Sequence, residues 1–129
     1  MRARRNGNIV VEFALLLPLV LALCIGVWEI GRALLGYSLL TYAVREAARR
    51  ASVDRHLLPD DPDILARLDA MVARGGFTIA TRSLEYTPPL QPGRLVRVRA
   101  TVNLVPITAL VFPLGSIPLQ TSTVIRYER

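Results

Sequence analysis

An apolar run from Ile9 to Trp28 dominates the hydropathy pattern, broken only by Glu12, Pro18 and Gly26. As a helix, Asn8–Trp28 would extend about 31 Å, close to the hydrocarbon thickness of a bilayer. Beyond it the pattern narrows to a stripe. Ala33, Tyr37, Leu40, Val44, Ala47, Ala48 and Ala51 recur at helical spacing, while Ser38, Thr41, Arg45, Arg49 and Ser52 occupy another face. One helix is therefore predicted from Asn8 to about Ser52. Its first half is apolar all round and its second half amphipathic. The distal stripe is expected to rest on a domain of the same chain, and the proximal residues on partner helices. Pro18 has no N–H, so the carbonyl of Ala14 loses its helical partner and a kink or local unwinding is expected there. Glu46 can meet Arg49 and Arg50 at i+3 and i+4.

The periodicity changes after Leu57. Asp60–Gly76 reads as a short helix, capped by Asp61, with Pro62 in its first turn and Gly75-Gly76 as a stop. Leu65, Leu68, Met71 and Val72 give its apolar face. Strands follow at Phe77–Tyr86, Arg94–Val105 and Gln120–Arg129, with a Pro88-Pro89…Pro92-Gly93 turn between the first two. The middle strand alternates most clearly: Val96, Val98, Ala100, Val102 and Leu104 share one face, Arg97, Arg99, Thr101 and Asn103 the other. Pro106–Pro118 reads as an apolar loop whose Leu110, Val111, Phe112 and Leu114 either cover the sheet or form a contact patch. The fold class is α+β: a long N-terminal membrane-spanning helix continuing into a small head with one short helix and an antiparallel sheet of about three strands. This divides the chain into a basic leader (1–7), a transmembrane part (8–28), an amphipathic continuation (29–56) and an extracytoplasmic head (57–129).

Composition adjusts this picture modestly. The formal net charge is +6, and all 16 basic residues are arginine. Arg2, Arg4 and Arg5 lie in the leader, where they favour a cytoplasmic N-terminus; Arg32 and Arg45 lie on the other flank. The basic pI thus owes something to the leader, and no basic patch with stacking aromatics points to nucleic acid. Cys24 is the only cysteine, so an intrachain disulfide is impossible and a cysteine-based zinc site is excluded. The Leu21-Ala22-Leu23 ahead of it places a bulky residue where a lipoprotein signal wants a small one. No small-x-small site follows the apolar run, which argues against ordinary signal removal.

Catalytic chemistry is sparse. His56 is the only histidine, no nucleophile motif accompanies it, and no phosphate loop or dinucleotide fingerprint is present. Asp60, Asp61 and Asp63 lack the spacing of a calcium loop and suit capping instead. The chain is read as having no enzymatic activity, no cofactor and no metal. The residue that demands explanation is Glu12. A carboxylate near one end of a membrane helix is costly without a partner and marks a functional site by default. Gly7, five residues earlier, offers a place for cleavage. Ala22 and Gly26 are four apart, the spacing at which small residues let membrane helices approach closely; with Pro18 they form the candidate packing positions.

Gly7, Glu12-Phe13, Ala14-Leu15, Pro18, Gly26, Glu29, Gly31-Arg32 and Ala43-Val44-Arg45-Glu46-Ala47-Ala48-Arg49 together resemble the TadE-like family, minor pseudopilins of bacterial tight-adherence (Tad/Flp) pilus systems. The resemblance is strong over about the first 50 residues; the distal part agrees mainly in architecture. It implies cleavage between Gly7 and Asn8 by a membrane prepilin peptidase, which would read Glu12 and Phe13 and leave Glu12 as the fifth mature residue. It further implies other pilins or pseudopilins and Tad inner-membrane assembly proteins as partners, beside membrane lipid. The implied location is the inner membrane, with the head outside the cytoplasm. The competing reading is an uncleaved single-span anchor presenting a periplasmic binding or sensory head.

Overall fold

The computed structural model describes residues 3–54, 58–86, 93–107 and 115–127, with side chains described from Ile9 onward. Helix α1 runs from Ala3 to Ala51 over 49 residues, about 74 Å of continuous helix. It begins inside the basic leader, ahead of the start expected at Asn8. It also passes through Pro18 without interruption, so the expected local unwinding is not seen. Proline costs one backbone hydrogen bond there, but the helical turns on both sides hold the ladder together. Helix α2 spans Pro62–Ala73, and strands β1 (Ile79–Tyr86), β2 (Leu95–Leu104) and β3 (Ile117–Arg126) form one antiparallel sheet in the order β1-β2-β3. The α+β layout read from the sequence is the one observed.

The head builds its core against the second half of α1. Leu40, Ala43, Val44, Ala47, Ala48 and Ala51 are buried with Ile64, Leu65, Leu68 and Val72 of α2 and with Leu84, Val96, Val98, Ala100 and Val102 of the sheet. Every alternate residue of β2 from Val96 to Leu104 is buried, as its period-2 pattern requires. Each fully buried leucine or valine contributes about 1.5–3 kcal/mol of transfer free energy. The alanines of α1 contribute less individually, but they let the helix lie close to the sheet. The buried stripe is rotated slightly from the one expected. Tyr37 is exposed, and Gly36 takes the inward position beneath Phe77. Ser52, expected on the polar face, is buried. It pays no polar penalty because its hydroxyl donates to the Arg49 carbonyl at 2.7 Å.

Element boundaries differ from expectation where a local signal was ambiguous. Helix α2 begins at Pro62 because Asp61 caps it, its Oδ1 accepting from the backbone of Asp63 at 3.0 Å and Ile64 at 3.4 Å. Strand β1 starts at Ile79, and its register against β2 slips between Ile79 and Thr81. Strand β3 starts earlier than expected, at Ile117, and takes in Pro118 opposite Asn103. Proline is tolerated near the beginning of an edge strand, where a ladder donor is dispensable. His56, the turn prolines 88, 89 and 92, and Leu110, Val111, Phe112 and Leu114 lie outside the described residues.

Polar contacts fix the loops. Glu46 receives Arg49 Nε at 3.0 Å and Arg50 Nε at 2.8 Å, the pairs expected from spacing. The Arg49 hydrogen bond, followed by that from Arg50, holds the Glu46 carboxyl below its usual range. Arg82 of β1 pairs with Asp69 of α2. At the far end of the head, Tyr127 Oη donates to the Asp54 carbonyl at 2.9 Å. Asp60 does something the capping argument does not cover. It adopts φ 51°, and its Oδ1 accepts from the Leu84 amide at 2.8 Å while its own amide donates to the Leu84 carbonyl at 3.3 Å. This exchange ties the α1–α2 connection to β1 across the core.

Asp60→Ala should therefore destabilise the head by about 1–2 kcal/mol, leaving the Leu84 amide without its acceptor. Asp60→Asn retains both an acceptor oxygen and tolerance of the left-handed region. Denaturant midpoints of the detergent-solubilised protein compare the two; equal losses would remove the proposed tie.

Candidate functional site

The candidate site is the part of α1 that the head leaves bare. From Ile9 to Ile25 every residue is exposed, with Phe13 at 66% and Leu15 at 75%. The most apolar stretch of the helix has none of its residues buried within the chain. A soluble core helix would not show this. Such a surface is stable only in lipid or against other helices.

Glu12 lies on this bare segment, exposed, and among the described residues no hydrogen bond or ion pair reaches it. Phe13 is its exposed neighbour. The Gly7–Asn8 peptide bond lies within the helical backbone of α1. On an ideal helix Pro18, Ala22 and Gly26 follow one another at i+4, each step drifting about 40° around the axis. Ala14 extends the same row by one step, a point the small-xxx-small spacing of Ala22 and Gly26 did not bring out. The row makes a shallow strip of small side chains between larger ones. A Cβ added at Gly26 or Gly31 would meet nothing within 4 Å, so these glycines are not required by the chain's own packing. Gly36 differs: its Cβ would stand 3.0 Å from the Phe77 ring.

Apolar exposure continues past Trp28 (66%) through Ile30 (63%), Leu34 (65%) and Tyr37 (49%). The head covers one side of α1 there and leaves the other bare. In the sequence Arg32 is a charge on the flank of the apolar run. Its guanidinium instead reaches across to the head, where Nη2 donates to the Val105 carbonyl. Sequence spacing gave no signal for this contact, because its partner lies far along the chain on the exit of β2. Among the described residues no group of three potential metal ligands gathers. Two open hollows lie on the head, one lined by Arg50, Arg67, Met71 and Arg74 and the other by Glu85, Tyr86, Arg97 and Val124.

These features describe an α+β protein whose single long apolar N-terminal helix fits a single-pass membrane anchor. Residues 7–49 match the family model of TadE-like proteins, bearing out the resemblance over that segment. The match starts at Gly7 and ends within the helix that supports the head. No curated protein and no solved structure matches the chain.

Two glycine substitutions separate packing within the chain from packing between chains. Gly36→Leu must displace Phe77 and should destabilise the head by about 1–3 kcal/mol. Gly26→Leu should leave the denaturation midpoint of the solubilised protein unchanged while weakening its co-purification with pilus-system partners. Equal thermal or denaturant sensitivity of both variants would contradict this division.

Proposed function

We propose that this protein is a minor pseudopilin, made as a membrane-stored precursor and used in assembling tight-adherence pili for surface attachment. The observation that carries the reading is Glu12: an exposed carboxylate on a lipid-length apolar helix, five residues after the glycine at which the family match begins. In this reading residues 1–7 are the leader, 8–28 cross the inner membrane, and the continuation from 29 onward presents the head in the periplasm. A prepilin peptidase recognises Glu12 and Phe13 and cuts between Gly7 and Asn8 on the cytoplasmic side.

The cut changes the electrostatics at the helix start. The first turn of α1 holds no acid, and Arg4 and Arg5 place positive charge where the helix dipole is already positive. Cleavage removes them and leaves one new amine on Asn8. That amine, on a neighbouring subunit, is a partner for Glu12: opposite charge offsets the cost of taking the carboxylate out of water. The strip Ala14, Pro18, Ala22 and Gly26 lets the neighbouring helix come close. The same apolar surface serves in lipid before assembly and in a helix bundle afterwards.

Co-expressed with its native peptidase, the protein should yield a mature chain beginning at Asn8 by N-terminal mass spectrometry. Finding only chains that start at Met1 would refute processing. Glu12→Ala tests the later role. Where that variant is still cut, pilus assembly and partner pulldown should fall sharply; normal piliation would show that Glu12 has no assembly role.

A further inference from the structure

The sheet is polarised along its strands. One end is charged: Leu95 stands opposite Arg126, and Arg97 opposite Glu85. Toward the other end charge disappears, since the chain carries no charged residue between Arg99 and Arg126. This end consists of the last ladder pair, Leu104 opposite Ile117, followed by Val105, Pro106 and Ile107. Val105 (62%), Ile107 (44%) and Ile117 (50%) are left exposed there.

Contacts with α1 fix which way this end points. The charged end is tied near the C-terminus of α1 through Tyr127 and Asp54. The uncharged end is held lower on the helix by the Arg32–Val105 hydrogen bond. Lower still, Ile107 shares an apolar hollow with Cys24, Ile25 and Trp28. Trp28 closes the apolar run, the level at which tryptophan is enriched in membrane proteins. Cys24 lies about 6 Å further in along the helix. Ile107 is thereby placed beside the head-side end of the span itself.

We propose that Val105, Ile107 and Ile117 form a second membrane contact, an apolar foot that seats the head on the bilayer beside α1. The occupant of this surface is lipid, because the foot is continuous with the bare lipid-length surface of α1 and its own residues carry no charge, Arg32 meeting it only at the Val105 carbonyl. Its backbone is also suited to that place. Non-helical backbone is costly in hydrocarbon because its polar groups lack partners. Here the Val105 carbonyl is occupied by Arg32, and Pro106 and Pro118 have no N–H to satisfy. Arg32 can bridge the two levels, its stem along apolar surface and its charged head toward the interface. The foot limits how the rigid unit of α1 and head can tilt in the bilayer and gives the subunit a second attachment to release on leaving the membrane. The proposal rests on α1 spanning the bilayer, and its test reads the two claims separately.

The experiment uses the full chain carrying Cys24→Ala, with Ile107→Cys, Val105→Cys or Arg97→Cys labelled by an environment-sensitive fluorophore. Each variant is placed at low density in phosphatidylcholine–phosphatidylglycerol vesicles, with and without brominated acyl chains. Trp28, the sole tryptophan, reports the span in parallel unlabelled samples. Loss of emission with bromolipid is expected for Trp28 and for at least one of positions 105 and 107, and none at position 97. Should both foot positions behave like 97 while Trp28 is quenched, the foot is refuted and the span stands. An unquenched Trp28 overturns both. Foot labels shielded from bromolipid and from aqueous iodide alike would show a protein covering this surface, and would equally overturn the proposal.

Discussion

One continuous helix has to satisfy two environments, and the rest of the structure follows from that. In hydrocarbon a backbone must pair its own polar groups, which a helix does within itself. In the head the same helix must offer a face to α2 and the sheet. Helix α1 meets both demands by changing side chains without changing conformation. Large aliphatic residues surround it up to Ile25, whereas Gly36, Leu40, Ala43, Val44, Ala47, Ala48 and Ala51 form the surface buried under the head. The small residues of that face bring the helix close enough for a modest head to complete a core. The head is thus rigidly coupled to the membrane segment, with no linker between them to absorb a force or a rotation.

The polar residues beyond Trp28 support this arrangement. Ser38 and Thr41 donate to the carbonyls of Leu35 at 2.9 Å and Tyr37 at 2.8 Å, satisfying themselves within the helix. Their donors are thus used inside the helix, which lowers the cost of burying the bare side of α1 above Trp28 against another helix, leaving only the oxygen lone pairs to be desolvated. Nearer the helix end Glu46 pairs with both Arg49 and Arg50, leaving a net positive charge of about one on that face. Such exposed pairs each add only about 0.2–0.5 kcal/mol to the helix; their larger effect is to fix where charge sits relative to the apolar stripe.

The elements legible in the sequence were those with an unambiguous local period. The alternation of β2, the Asp61 cap and the change in α1 from all-round apolar to amphipathic all depend on neighbours within a few residues. What escaped depends on distant ones. Tyr37 and Gly36 are one residue apart, and only Phe77, brought in by the turn after α2, selects the glycine for the inside. The Asp60–Leu84 exchange and the Arg32–Val105 contact join residues that no spacing rule connects. Pro118 misled for a different reason: proline ends a central strand but not an edge strand, and edge position is a property of the sheet. Of the candidate site, the bare helix, the place of Glu12 on it and the positions of Pro18, Ala22 and Gly26, though not Ala14, were readable, because a membrane segment announces itself by composition rather than by tertiary contacts.

Glu12 is where these constraints conflict most sharply. Every other described residue from Ile9 to Ile25 suits lipid or a helix bundle without help. A carboxylate does not, and the chain supplies it with no partner among the described residues. A carboxylate taken out of water at such a place needs an opposite charge from outside the described chain, because an unpaired buried charge is costly. In the proposed reading, the Asn8 amine of a neighbouring subunit would meet that requirement when the two parallel helices are offset by about 6 Å, the axial rise between positions 8 and 12. The bare apolar helix explains how such subunits could pack. The acid would set their register.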